Sequence, residues 1–156
     1  MSSPLANGAR APEFALPNQD GQSVTLASLL GKGPVVVYFY PKDETPGCTA
    51  EACAFRDNYD VFQQAGASVV GISDDTVESH RGFATHHGLP FVLLADTEGK
   101  VRNAFGVPRA FLGLAPGRMT FVLDKDGTVR HSFNSSINMK KHVTEAIEVV
   151  KKLAQG

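Results

Sequence analysis

Apolar residues in this chain gather into short dense runs, separated by amphipathic stretches and by clusters of Gly, Pro, Asn and Asp. Residues 35–40 (VVVYFY) are apolar throughout and lie between two prolines, the pattern of a strand buried on both faces. Residues 68–73 (SVVGIS) repeat that pattern, and 92–95 form a shorter version of it. Between the first two runs, Ala52, Phe55, Tyr59 and Phe62 recur at helical spacing, predicting a helix from Cys48 to about Ala65 that stops at Gly66. Residues 76–87 predict a second helix closed by Gly88, and 100–105 a short third one. Asn18-Gln-Asp-Gly21 between two apolar stretches (14–16 and 23–26) predicts an N-terminal hairpin. Asp124-Lys-Asp-Gly127, between 119–123 and 128–133, predicts another. A last helix follows Asn138 as N-cap, carries Val143, Ala146, Ile147, Val150, Leu153 and Ala154 as one stripe, and ends at Gly156.

Strand, helix, strand, helix, strand, then hairpin and helix is an α/β order. It predicts a central mixed sheet flanked by helices, antiparallel at its C-terminal edge, with a separate N-terminal hairpin. At 156 residues without repeat, linker or low-complexity tract, the chain is expected to form one domain over 1–156. A formal net charge of −1 gives no reason to expect nucleic acid or an anionic membrane as partner. No apolar stretch approaches the roughly 18 residues needed to span a bilayer. The start, Met1-Ser-Ser-Pro-Leu-Ala-Asn-Gly8, lacks the basic and apolar regions of a secretory signal, so a cytoplasmic setting is expected.

In that setting a pair of cysteines is more often catalytic, redox-active or metal-binding than structural. The chain has two, Cys48 and Cys53. Cys48 follows Pro46-Gly47 and opens the helix that comes straight after the most apolar strand. A thiol at a helix N-terminus feels the positive end of the macrodipole, which favours the nucleophilic thiolate. A strand running into a helix that begins with a thiol is the thioredoxin-like arrangement.

Pro41, Thr45 and Cys48 reproduce the peroxiredoxin signature: proline, three residues, threonine, two residues, cysteine. The stretch Tyr38-Phe-Tyr-Pro-Lys-Asp-Glu-Thr-Pro-Gly-Cys-Thr-Ala-Glu-Ala-Cys-Ala-Phe-Arg-Asp57 resembles peroxiredoxin Q, the bacterioferritin comigratory protein type. Val69-Val-Gly-Ile-Ser73 and Pro116-Gly-Arg-Met-Thr-Phe-Val-Leu-Asp-Lys-Asp-Gly127 are similar to the same subfamily, and the likeness runs over about 4–154. The resemblance implies a thioredoxin fold, peroxidase activity without metal, haem or other cofactor, and recycling by thioredoxin or a similar dithiol reductant. It implies Cys48 as the peroxidatic thiol, Thr45 and Arg118 as its polar partners, and Pro41 as a shield of the pocket. Cys53 matches the resolving position used by many members. The segment after Phe133 lacks the cysteine-bearing arm of the dimeric class, which points to a subunit acting alone.

The residue types suit the chemistry. A thiolate attacks one oxygen of an O–O bond, and charge spreads over both oxygens in the transition state. A guanidinium such as Arg118 supplies several fixed donors for that charge. The Thr45 hydroxyl can accept from one group and donate to a substrate oxygen, and the N–H groups of Gly47 and Cys48 are further candidate donors. Glu51 reads as a favourable charge in the first helical turn. His80, His86, His87, His131 and His142 read as scattered surface or helix-end histidines.

Spacing constrains the two thiols. Five residues along a continuous helix give about 7.5 Å of rise and place the Cα atoms roughly 8–9 Å apart. A disulfide reaches no further than about 6.8 Å. Either the first turns unwind in each cycle or the thiols never meet. Two other functions compete. A thioredoxin-like protein disulfide oxidoreductase would place a thiol the same way, but such enzymes usually space the pair as C-x-x-C. A metal-binding or copper-delivery protein would need Cys48, Cys53 and a histidine around one ion, and no histidine lies near the motif in sequence.

Overall fold

The computed structural model describes residues 3–109, 117–135 and 138–155. Pro116 and Gly156, both invoked above, lie outside them. The chain opens with a hairpin, β1 (Ala15–Pro17) against β2 (Ser23–Thr25), in the register Leu16 to Val24. The second strand stops at Thr25, short of the expected Leu26, because the Thr25 hydroxyl accepts from Ser28 N at 3.1 Å. That cap starts a four-residue helix, α1 (Leu26–Leu29), which apolar patterning did not distinguish from strand.

The central sheet has the order β5-β4-β3-β6-β7: Val92–Ala95, Ser68–Ser73, Val35–Phe39, Met119–Leu123 and Val129–Asn134. β3 runs parallel to β4, β4 parallel to β5, while β6 lies antiparallel to both β3 and β7. Strand alternation divides the core. Val36, Tyr38 and Tyr40 join one apolar cluster, with Ala52, Phe55 and Phe62 from the cysteine-bearing segment and Val143, Ala146 and Val150 from the last helix. Val35, Val37 and Phe39 join the other, with Phe14, Leu26, Val101 and Phe105. β3 is therefore buried on both faces, as its composition predicts.

The helices are α2 (Pro46–Asp57), α3 (Tyr59–Gln64), α4 (Val77–His87), α5 (Lys100–Ala104) and α6 (Met139–Gln155). The predicted single helix from Cys48 to about Ala65 is two helices. Asn58 has φ −111° and ψ 12°, and its Nδ2 donates to Ala54 O at 2.8 Å, ending α2 before α3 begins. Thr76 and Gly88 bound α4 as expected, with Ser79 N donating to Thr76 Oγ1 and Gly88 at φ 60°. Asn138 Oδ1 accepts from Lys141 N at 3.2 Å at the start of α6. On that helix the expected apolar stripe loses Ala154, which is exposed, and gains His142, which is buried. The N-terminal hairpin covers the free edge of β5: Gln19 donates to Phe91 O at 3.1 Å and accepts from Leu93 N at 3.0 Å.

Candidate active site

The site forms where β3 hands over to α2. Tyr40 N still bonds to Ile72 O at 3.1 Å, and the chain then loops from Pro41 to Thr45 before α2 begins at Pro46. Proline suits the first helical position, where an N–H has no intrahelical partner. The loop is held from below by Asp43, which is buried. Tyr40 donates to Asp43 Oδ1 at 2.6 Å, and Ser79 Oγ and His80 Nδ1 approach Oδ2 at 2.8 and 2.7 Å. The other nitrogen of His80 lies 2.9 Å from Leu94 O, and Asp43 N donates to Asp75 Oδ2 at 2.8 Å. His80 is thus fully buried and structural, not the surface histidine expected from its isolated position in sequence.

Cys48 sits in the first turn of α2 with 1% of its surface exposed. Its Sγ receives two donors: Arg118 Nη2 at 3.4 Å and Lys42 N at 3.5 Å. The Lys42 N–H is a donor that sequence reasoning missed, having looked to Gly47 and Cys48. Gly47 contributes by lacking a side chain, since a Cβ there would lie 3.1 Å from Arg118 Nη2 and overlap Met139 Cε. Arg118 stands just before β6, whose Met119 pairs with Phe39 of β3, so the sheet register carries the guanidinium to the start of α2. Arg102 secures that approach: Nη1 donates to Gly117 O and Nη2 to Tyr40 O, both at 2.7 Å.

Glu51 departs most from its expected role. One turn after Cys48, it shares the thiol's side of α2, and it is fully buried. Its Oε1 accepts from Arg118 Nη1 at 2.6 Å, so one guanidinium holds the thiol and the carboxylate together. Burial pushes the Glu51 carboxyl up to about 7, against the opposing pull of Arg118. Its Oε2 has no hydrogen-bond partner, with His142 Nδ1 3.6 Å away. His142, in the first turn of α6, is a helix-end histidine as expected but fully buried, and burial pushes it down to about 4. Its Nε2 donates to Ser135 O at 2.8 Å, leaving Nδ1 to accept from Thr120 Oγ1 at 2.8 Å. Spacing from Cys48 was the signal that could have found Glu51.

Thr45 lies at the N-cap position of α2 but makes no capping bond there. Its hydroxyl donates to Lys42 O at 2.8 Å, so the proton expected to face a substrate oxygen points into the loop. Pro41, half-buried, directly precedes Lys42. Cys53 is half-buried on the same unbroken helix as Cys48, and both thiols are free. Among the described residues, neither cysteine joins a cluster of three metal-ligating groups. The clusters that do form are Asp43, Asp75 and His80, and Glu44, His86 and His87.

A thioredoxin-like sheet carrying a buried thiol and a guanidinium at a helix start defines a class of thiol-dependent redox proteins. A match to the AhpC/TSA family covers residues 7–132. Peroxiredoxin Q from the chloroplast of Sedum lineare is 50% identical over 149 residues, spanning 96% of this chain and 80% of that one. The crystal structure of peroxidoxin BcpB from Mycobacterium tuberculosis is 40% identical with a TM-score of 0.88, over 96% of this chain and 98% of the other. The Xanthomonas campestris bacterioferritin comigratory protein, studied for its alkyl peroxide reduction, is 30% identical with a TM-score of 0.84, over 99% of both chains. The chain belongs to the AhpC/TSA family, in its peroxiredoxin Q branch.

Proposed function

We propose that this chain reduces hydrogen peroxide and organic hydroperoxides through Cys48 and is recycled by thioredoxin or a similar dithiol protein. The observation that carries the reading is Arg118 bonded at once to Cys48 Sγ and Glu51, beside a helix start. The Cys48 thiolate attacks the terminal oxygen of ROOH: the S–O bond forms, the O–O bond breaks, and RO⁻ leaves to take up a proton. Sulfur is oxidised to the sulfenic acid and the peroxide is reduced to the alcohol. Arg118 and the Lys42 N–H face the sulfur and are placed to stabilise the charge that develops as oxygen arrives there. Pro41, lacking an N–H, walls the site, and Thr45 can serve a bound oxygen once its hydroxyl turns from Lys42 O.

Cys53 then attacks the sulfenic sulfur; the S–S bond forms and hydroxide leaves as water after protonation. The two thiols share an intact helix, so this step needs the first turns of α2 to unwind. Both thiols come from one chain, so a single subunit completes the cycle. A reducing compartment such as the cytoplasm supplies the dithiol that the cycle consumes. The test is stopped-flow oxidation by hydrogen peroxide and cumene hydroperoxide, paired with thioredoxin-coupled turnover. Peroxide-independent reduction of insulin would favour the disulfide oxidoreductase instead.

A further inference from the structure

Glu44 is the one non-glycine residue, among those described, with a left-handed backbone, at φ 63°. That conformation turns its carboxylate toward the last turn of α4. There His86 Nδ1 lies 3.0 Å from Oε2 and His87 Nε2 lies 2.9 Å from Oε1. Adjacent helical residues point about 100° apart, yet these two rings sit with centroids 4.1 Å apart and converge on one carboxylate. The three ligand atoms all fall within 4.8 Å of one another.

We propose that Glu44, His86 and His87 form a binding site for a divalent transition metal of the zinc type, which clamps the loop before Cys48 onto α4. Two imidazole nitrogens and a carboxylate oxygen are a borderline-soft donor set suited to such an ion. Tetrahedral bonds of about 2.0–2.1 Å place neighbouring ligand atoms about 3.3 Å apart. His86 Nδ1 lies 3.1 Å and His87 Nε2 2.9 Å from the same Oε1, so these two contacts need open only by roughly 0.2–0.4 Å. Each imidazole frees its lone pair by carrying its proton on the other ring nitrogen, and water completes the shell. The cluster is open to solvent, with His86 66% and Glu44 46% exposed. His87 is the fixed member: Arg56 Nη1 donates to its carbonyl at 2.7 Å, and Phe83 packs edge-on at 5.2 Å. The buried cluster of Asp43, Asp75 and His80 differs, because both oxygens of Asp43 and Oδ2 of Asp75 already accept from Tyr40, Ser79, Ser73 and Asp43 N.

Glu44 directly precedes Thr45, so a metal there fastens the segment that must move when α2 unwinds. This consequence rests on the disulfide mechanism proposed above; the site itself does not. Bound metal leaves the attack of Cys48 on peroxide available and slows formation of the Cys48–Cys53 bond.

The site is read by calorimetric titration of zinc chloride into protein carrying Cys48→Ser and Cys53→Ser, where no thiol competes. One zinc per chain is expected. Adding Glu44→Gln, His86→Gln or His87→Gln should each weaken binding about tenfold or more. Affinity unchanged by all three substitutions, or no saturable binding, overturns the site. The clamp is read separately in protein with both cysteines, as the rate of disulfide formation after one equivalent of peroxide. Zinc should slow it in the parent and leave His86→Gln/His87→Gln at its metal-free rate. Equal slowing in both proteins would place the metal on the thiols and overturn the clamp.

Discussion

Glu51 and Arg118 form a buried ion pair of 2.6 Å, and the second nitrogen of the same guanidinium donates to the Cys48 sulfur. The carboxylate and the thiol therefore draw on one cation. When Glu51 is ionised it orients Arg118 and takes part of its field; when protonated it leaves more of that field to the sulfur.

That relationship gives a pH signature. Glu51 has its folded value raised from 4.5 to about 7, so its contribution to stability is fully present below 4.5 and is lost as pH rises through about 7. The loss amounts to up to about 3 kcal/mol. His142 works the other way: its folded value lies near 4, below the usual 6.5, so its contribution is present above 6.5 and lost as pH falls toward 4. Glu51→Gln removes the first titration and keeps the second. Urea unfolding of the two proteins from pH 5 to 7.5 should show the parent losing ground to the variant; a gap independent of pH would refute the raised carboxyl.

Arg118→Lys keeps the charge but cannot bridge Glu51 and Cys48 at once. The rate of oxidation by hydrogen peroxide should fall about a hundredfold. Because both partners are buried, stability should also fall, by about 1–3 kcal/mol. An unchanged stopped-flow rate would remove Arg118 from the reaction.

Cys48→Ser should consume no peroxide, since a serine hydroxyl has no comparable thiolate chemistry at neutral pH. Cys53→Ser should react once and then stall as sulfenic acid, overoxidise, or form Cys48–Cys48 dimers. Mass spectrometry of the oxidised parent should show a Cys48–Cys53 linkage, with faster amide exchange across about 48–54. Normal thioredoxin-coupled turnover by Cys53→Ser, without that linkage, would mean the enzyme works through Cys48 alone.

The Tyr38 hydroxyl is buried without a hydrogen-bond partner, and its ring lies over Gly71 of the neighbouring strand. Tyr38→Phe should therefore leave stability unchanged or raise it by about 1 kcal/mol. Gly71→Ala should do the opposite. A Cβ there would stand 2.8 Å from Tyr38 Cζ and 3.0 Å from Leu93 Cδ2, and such overpacking costs about 1–3 kcal/mol. Thermal melts of the two variants test both signs.

What could be read in advance was local. The run at 35–40 announces a doubly buried strand by composition alone, and Thr45-Pro-Gly-Cys48 announces a helix start carrying a thiol. What could not be read depends on partners distant in sequence. His80 looks like any helical histidine until Asp43, 37 residues away, is brought against it. His142 depends in the same way on Thr120, 22 residues away. Glu51 was misread for another reason: a carboxylate near a helix start has an adequate local explanation, and nothing local says that an arginine 67 residues on will cover it. The break at Asn58 escaped because the apolar spacing of Phe55, Tyr59 and Phe62 continues across it.

That break limits how far any unravelling can spread. Phe55 stacks on Tyr38 at 4.5 Å and Phe62 is fully buried, so both rings pin their backbones to the sheet. Because the chain already changes direction at Asn58, α3 does not depend on α2 for its first turn. Within the stretch from Pro46 to Ala54 the fully buried side chains are Cys48, Glu51 and Ala52, small or polar groups, while the two aromatic anchors lie beyond it. The unwinding proposed for disulfide formation therefore carries no large apolar side chain of its own into solvent.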